Sequence, residues 1–467
     1  MNTDYELIDQ KIEGLKDEML ELLSDWIKIP SVLDEAEPEY PYGKKAFDAL
    51  DFILKKGREM GFKAKNVDNQ AGHLEYGNGD GELYAVLGHV DVVPAGTGWT
   101  HGPFEGEISE GFVWGRGTSD DKGPTLAALY ALKVIKELDL PPKNRLRIIM
   151  GTNEENGSKG IKHYMTKEEK PVEAVTPDAE FPVIFAEKGI INYQFNKTFS
   201  TQNGEAICTS LTGGFASNMV PSHAAIAIKT ENQEAVRSIF HRFNPKNNAV
   251  LSLKTEDETV VIEAEGSSAH GSTPEKGINA ISALIDLGSQ MPFDPVFKAA
   301  LIKLNEKIGY ETNGKSLGVA GRDETSGPLT LNLGMIDFDG QNLQTTINIR
   351  YPIFYSDEML TNQITQAMAP VLKTQNTPPT KPLFVSPDSD FIQTLSSIYE
   401  DVTGEPGTPF SIGGGTYARK VPLGVAYGAV FPGEPSVAHQ PDERVAIESL
   451  VKTMKIYARL YYHWLFQ

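Results

Sequence analysis

Five clusters of acids and histidines punctuate the 467-residue chain. They are His89 with Asp91 in GHVDVVPAG, Asp120 with Asp121 in GRGTSDDKGP, Glu154 with Glu155 in GTNEENG, Asp178 in TPDAEFP, and His439 in AHQPDE. Singly, each has a plain structural reading. His89 and Asp91 hydrogen-bond within a turn, Asp120-Asp121 caps the following helix, Glu154-Glu155 is a solvated turn, Asp178 is a turn former and His439 is a surface residue. Jointly they offer the donors of a metal site, imidazole nitrogen and carboxylate oxygen. Charge favours the joint reading. Two divalent cations with two imidazoles, two terminal carboxylates, one bridging carboxylate and one hydroxide make a nearly neutral assembly. Without cations, the same carboxylates would converge in a partly dry cleft only with raised pKa values. Asp91, two residues past His89, is placed to hold the imidazole's other nitrogen or a group behind it. Glu154, beside the expected ligand Glu155, is then left over, and a leftover carboxylate next to activated water is what a hydrolase needs as general base.

These clusters need a scaffold that brings them together, and the surrounding pattern supplies one. LYAVL (Leu83–Leu87) is short, aliphatic and flanked by glycines, as expected of a buried strand of a parallel sheet, and it runs straight into His89. RLRIIM (Arg145–Met150) is a second strand and runs into GTNEE. In open α/β sheets, ligands bind beyond the carboxyl ends of the strands, where these polar residues fall. Leu7 or Ile8, Ile12, Leu15, Met19, Leu22 or Leu23 and Trp26 recur at helical spacing after Thr3-x-x-Glu6, a capping box, and this opening helix ends before Pro30. Gly43 to Met60 and Thr125 to Leu138 read as further helices. The fold class expected is α/β, a mostly parallel sheet with helices on both faces.

Beyond about Lys188 the pattern changes. INYQFNK, AIAIKT and TVVIEAEG read as antiparallel strands, GINAISALIDLGSQM as an amphipathic helix, and TLNLGMIDFDGQNLQTTINIRYPI as a hairpin around Asp339-Gly340. Near Asp388 the first pattern returns with FIQTLSSIYEDVTG, GVAYGAVF and a closing helix, IESLVKTMKIYARLYYHW. An α+β domain inserted over residues 188–385 is therefore expected within a catalytic domain of residues 1–187 and 386–467.

Composition narrows the function classes. The chain is 40% hydrophobic and 23% charged, as soluble globular proteins are. Its net charge of -20, from 63 acidic and 43 basic residues, argues against nucleic acid and anionic membranes as partners. A single cysteine, Cys208, excludes an internal disulfide framework and a cysteine-built zinc site. MNTDYELIDQKIEGLKDEML lacks the basic and apolar regions of a signal peptide or anchor, so a cytoplasmic protein is expected.

In combination and order, GHVDVVPAG, GRGTSDDKGP, GTNEENG, TPDAEFP, GGGTYAR and AHQPDE resemble the co-catalytic metallopeptidase superfamily of carboxypeptidase G, acetylornithine deacetylase and the carnosinases, and most of all its PepV-type bacterial dipeptidases. The resemblance spans essentially the whole chain. It implies a zinc-exopeptidase-like catalytic domain whose inserted domain is a lid. It implies that His89 and Asp178 bind one metal and Glu155 and His439 the other, that Asp120 bridges them, that Asp91 supports His89 and that Glu154 is the base. In SSAHGSTPEKGINAI it implies that His270 polarises the scissile carbonyl; the alternative is a histidine that only caps the following helix. It matches Asn218 in ASNMVP and Arg350 in INIRYP to substrate-holding positions, and the planar fork of arginine suits a terminal carboxylate. Gly413 to Gly415 offer backbone N–H groups with no side chain in the way, with Gly415 the substrate-binding candidate.

The function so implied is hydrolysis of dipeptides with a free amino terminus by a dinuclear metal-dependent dipeptidase, through a metal-bridging hydroxide and the Glu154 base. The alternative within the fold is an N-acyl amino acid deacylase of acetylornithine or succinyl-diaminopimelate type. From another class comes an inactive scaffold that kept the fold, against which the presence of both Glu154 and His270 argues. Zinc is the first expectation for the two cations, with manganese and cobalt as alternatives, because the donor set accepts all three. The partner is a small peptide. The length of the inserted segment resembles that of monomeric PepV-type lids, so a monomer is favoured over a dimer.

Overall fold

The computed structural model describes residues 3–200 and 202–467. The chain forms two compact units: Met1–Phe185, Phe384–Phe410 and Gly415–Gln467 make the first, and Ala186–Leu383 with Ser411–Gly414 the second.

In the first unit the opening helix spans Thr3–Ile27. It buries Ile8, Ile12, Met19, Leu23 and Trp26, the stripe that helical spacing predicts. The Thr3 side chain of the expected capping box lies outside the described residues. Strand Leu83–His89 lies parallel to Arg145–Gly151 on one side and to Glu173–Thr176 on the other, and Gly424–Ala426 continues the parallel pairing. Lys63–Val67 and Ala71–Gly77 add an antiparallel edge next to Arg145–Gly151. The connection between those two strands is too short for a crossover, so they form a hairpin, and the sheet is mixed.

Alternate residues of Leu83–His89 face opposite layers. Ala85 and Leu87 share a cluster with Ile161 and Tyr164 of helix Lys159–Lys167. On the other side, a Cβ at Gly88 would stand 1.9 Å from Thr125 Oγ1 of helix Lys122–Lys136. Glycine is required there because the helix lies against the strand just before His89. That helix is buried along almost its whole length and packs on the opening helix and on the closing helix Ile447–Phe466.

The second unit is an antiparallel sheet of eight strands in the order Val250–Glu256, Thr259–Glu265, His223–Lys229, Ile207–Gly213, Thr330–Phe338, Asn342–Tyr351, Gly189–Thr198 and Lys373–Asn376. Thr259–Glu265 shows the period of a half-buried strand, with Val260, Ile262 and Ala264 inside. The predicted hairpin turns at Asp339-Gly340, where Gly340 adopts φ 95° and Asp339 Oδ1 accepts from the N–H groups of Gln341 and Asn342. Helix Ala280–Gly288 covers the sheet and is buried throughout. Among the described residues no helix is long and apolar enough to cross a membrane.

Candidate metal centre

The five clusters meet in the first unit. His89 is the last residue of its strand and is 1% exposed at its side chain. Asp120 lies in the loop before helix Lys122–Lys136, and Glu154 and Glu155 follow strand Arg145–Gly151. Asp178 follows strand Glu173–Thr176. His439 sits in the turn before the closing helix, with φ 65°, a left-handed conformation that histidine tolerates better than most residues.

The Asp120 carboxylate lies between the two imidazoles. Its Oδ1 is 3.0 Å from His89 Nε2 and its Oδ2 is 3.0 Å from His439 Nε2. Asp178 Oδ2 stands 3.8 Å from the same His89 nitrogen, and Glu155 Oε1 stands 2.9 Å from the His439 nitrogen. Donor atoms of His89, Glu154 and Asp178 all lie within 4.8 Å of one another, as do those of Asp120, Glu155 and His439. Two adjacent donor groups joined at one carboxylate suit two cations sharing a bridge.

The electrostatics fit the same occupant. Burial, then the charge of Asp120, lifts Asp178 to about 6 and Glu155 to about 7. Burial, then Asp178, pushes Glu154 well above the carboxylate range. Hydrogen bonds to Asp120 and Glu155 raise His439 to about 11. At His89, burial opposes the charge, but the Asp120, Asp178 and Asp91 carboxylates outweigh it and raise the imidazole. Asp120 is likewise penalised by burial, yet its bonds to His439 and His89 hold it below the usual range. Acids so crowded call for positive charge, and divalent cations supply it without protonating the ligands.

Asp91 does more than its spacing suggested. His89 Nδ1 lies 3.0 Å from the Asp91 main-chain oxygen and 3.5 Å from its Oδ1. The carboxylate also accepts from the N–H groups of Glu154, at 3.0 Å, and Glu155, at 3.1 Å. One residue thus orients both the histidine, through its main-chain oxygen, and the glutamate turn, through its carboxylate. Asp121 stands at the N-cap position, yet its side chain makes no capping bond; its Oδ2 accepts from His89 N and from Thr125 Oγ1.

The substrate-side candidates divide between the units. His270, Asn218 and Arg350 belong to the second. Gly271 N donates to Asn218 O at 2.7 Å, which places the Asn218 and His270 loops side by side. His270 Nδ1 lies 2.6 Å from Ser272 Oγ, whereas helix Ala280–Gly288 is capped by Asn279, so His270 does not cap it. Arg350 is 5% exposed; its Nε donates to Asn348 Oδ1 and its Nη1 to Gly413 O. Gly413 in turn lies against Ser272, whose Cβ would be 2.9 Å from a Cβ there, so the 411–414 segment joins the Arg350 and His270 neighbourhoods. Gly415 belongs to the first unit, where a Cβ would stand 2.9 Å from Arg419 Nε.

Sequence reasoning did not single out Tyr417, Arg116 or Glu443. The buried Tyr417 ring meets that of His89 edge-on at 6.2 Å, and Gly151 makes room for its hydroxyl. Glu443 and Arg116 form a buried ion pair behind the Asp120 loop. The only local signal for Glu443 was its place in AHQPDE.

A sequence profile of Peptidase family M20/M25/M40 matches residues 85–463. The chain is 38% identical over 467 residues to "Putative dipeptidase YtjP" of Bacillus subtilis (strain 168), covering 99% of each chain. It is 34% identical over 454 residues to "Beta-Ala-Xaa dipeptidase" of Lactobacillus delbrueckii subsp. lactis, covering 96% of each. Human carnosine dipeptidase 1 shares the fold, with a TM-score of 0.62 at 14% identity over 98% of both chains. On the profile match and these full-length relatives, the chain belongs to Peptidase family M20/M25/M40.

Proposed function

We propose that this peptidase-family protein is a dinuclear metal-dependent dipeptidase acting on dipeptides with a free amino terminus. The observation that carries the reading is the Asp120 carboxylate, with one oxygen 3.0 Å from each imidazole and a further acid beside each. In this reading His89 and Asp178 hold one cation, Glu155 and His439 the other, and Asp120 both. When bound, the cations supply Lewis acidity and positive charge. Glu154, braced through its backbone by Asp91, takes the proton of the attacking water on its carboxylate and passes it to the leaving amine. His270 donates to the oxygen that gains charge, and Arg350 pairs with the free carboxylate of the substrate, with Asn218 and the Gly415 backbone completing its contacts. Zinc is the cation proposed, with manganese and cobalt meeting the same donor set. A cytoplasmic monomer completes the proposal.

The relatives favour a dipeptide over an N-acyl substrate, since the two full-length relatives described above bear dipeptidase names. The test is a panel of free, β-alanyl and N-acetylated dipeptides, with metal analysis of the same sample. Hydrolysis of the free dipeptides with about two cations per chain is expected, and chelation should abolish it. Preference for the acetylated compounds would transfer the chain to the deacylases, and one cation at full activity would overturn the dinuclear site.

A further inference from the structure

Behind the metal centre lies a buried ion pair to which no chemistry has been given. We propose that Glu443, paired with Arg116, is a positioning residue that fixes the Asp120 and His439 loops against each other and so sets how tightly the site takes its cations. The inference rests on the two-cation reading above.

Glu443 is 0% exposed. Its Oε1 accepts from three amides of one loop, Gly117 N at 2.9 Å, Ser119 N at 3.0 Å and Asp120 N at 3.3 Å. Its Oε2 accepts from Arg116 Nη1. Its main-chain oxygen takes a further bond from Gly115 N at 2.9 Å. The peptide nitrogen of the shared ligand Asp120 is therefore held directly by a side chain four residues beyond the ligand His439. With its oxygens occupied by these donors and its side chain outside both donor groups, Glu443 acts on the cations only through Asp120 and His439.

Arg116 extends the clamp to a third ligand-bearing segment. Nη1 also donates to Gln440 O at 3.3 Å, and Nη2 donates to Pro94 O and Ala95 O, each at 3.4 Å. Its guanidinium lies 5.2 Å from the Trp99 ring. Asp442, beside Glu443, binds the same 94–101 segment by accepting from Thr100 N, Thr100 Oγ1 and His101 N. The segments following His89, preceding Asp120 and following His439 thus converge on one ion pair. Burying two charges is a poor way to gain stability alone, because apolar residues of similar volume serve as well. Holding three loops so that one carboxylate faces two imidazoles is a task apolar residues cannot do, since it needs directed acceptors.

The test uses metal-stripped full-length protein titrated calorimetrically with Co²⁺ alone, wild type against E443Q, with the unfolding temperature of each metal-free protein recorded. Glutamine preserves shape but cannot accept from the loop amides at one end and from Arg116 at the other. Co²⁺ affinity should fall roughly 10- to 100-fold, the usual effect of removing a partner behind a metal ligand. A lowered metal-free unfolding temperature with unchanged Co²⁺ affinity would mean the pair is only structural and overturns the proposal. Should E443Q not fold, E443D answers the same question: it keeps the charge but withdraws the oxygens from the loop, and unchanged affinity there is equally fatal. Absence of Co²⁺ binding by wild type would remove the two-cation reading and this inference together.

Discussion

Glu154 and Glu155 are chemically identical neighbours, and the fold gives them different company. Glu155 reaches His439, while Glu154 is grouped with His89 and Asp178 and is pushed up by burial and then by Asp178. We expect E154Q to retain cation affinity and to lower kcat by roughly two to four orders of magnitude, the scale of general acid–base catalysis. Calorimetric loss of a cation in that variant would make Glu154 a ligand instead. H270A should lower kcat by about two to three orders of magnitude, as for loss of an oxyanion donor, with the circular dichroism spectrum unchanged. A normal rate would confine His270 to its turn with Ser272. For Arg350, replacement by lysine keeps the charge and loses the fork. A drop of roughly tenfold or more in kcat/KM is expected for a dipeptide, and little change for its C-terminal amide. Equal cleavage of acid and amide by the wild-type enzyme would rule out the carboxylate contact.

Strand Ala71–Gly77 and helix Lys159–Lys167 are joined beneath the glutamate turn by a buried histidine. His73 Nδ1 lies 2.8 Å from the Tyr164 hydroxyl, which also accepts from Arg147 Nη1. Burial, then the charges of Arg147 and Lys65, lowers His73 to about 3, from 6.5. The unfolded chain therefore takes up a proton that the folded chain refuses. The stability from the neutral ring is fully present above pH 6.5 and is lost as the pH falls from there toward 3. In urea titrations between pH 7 and 4, H73Q should be less stable than wild type at pH 7 and lose less stability on acidification. Parallel curves would show that His73 titrates in the fold as it does in the open chain.

Each unit carries its own core, and Cys208 reports on that of the second. It is 0% exposed, lies among the strands of the antiparallel sheet, and burial pushes its thiol up, which keeps it neutral and unreactive. Iodoacetamide should leave it unmodified in native protein and label it fully in denaturant, so that labelling measures opening of this core. Modification of native protein at the rate of a free thiol would contradict a closed core. The proposed metal donors all lie in the first unit, so bound cations should raise that unit's unfolding temperature and chelation should lower it. Differential scanning calorimetry with and without chelator checks this.

Much of the architecture was legible because it is written in local patterns. The α/β alternation, the stripe from Ile8 to Trp26, the turn at Asp339-Gly340 and the strand running into His89 depend on periodicity and turn chemistry within a few residues. The donor types and their order along the chain were legible for the same reason. The antiparallel edge was not, since strand direction depends on which neighbour a strand meets. Nor was the division of Asp120's two oxygens between His89 and His439, nor the hold of Asp91 on the two glutamate amides. Glu443 and Arg116 are separated by 327 positions, and nothing near either residue names the other. By itself the sequence determined which chemical groups are available and where strands and helices deliver them. Only the tertiary structure decided which oxygen faces which nitrogen, because hydrogen bonds act over about 3 Å while the partners are supplied by segments far apart in the chain.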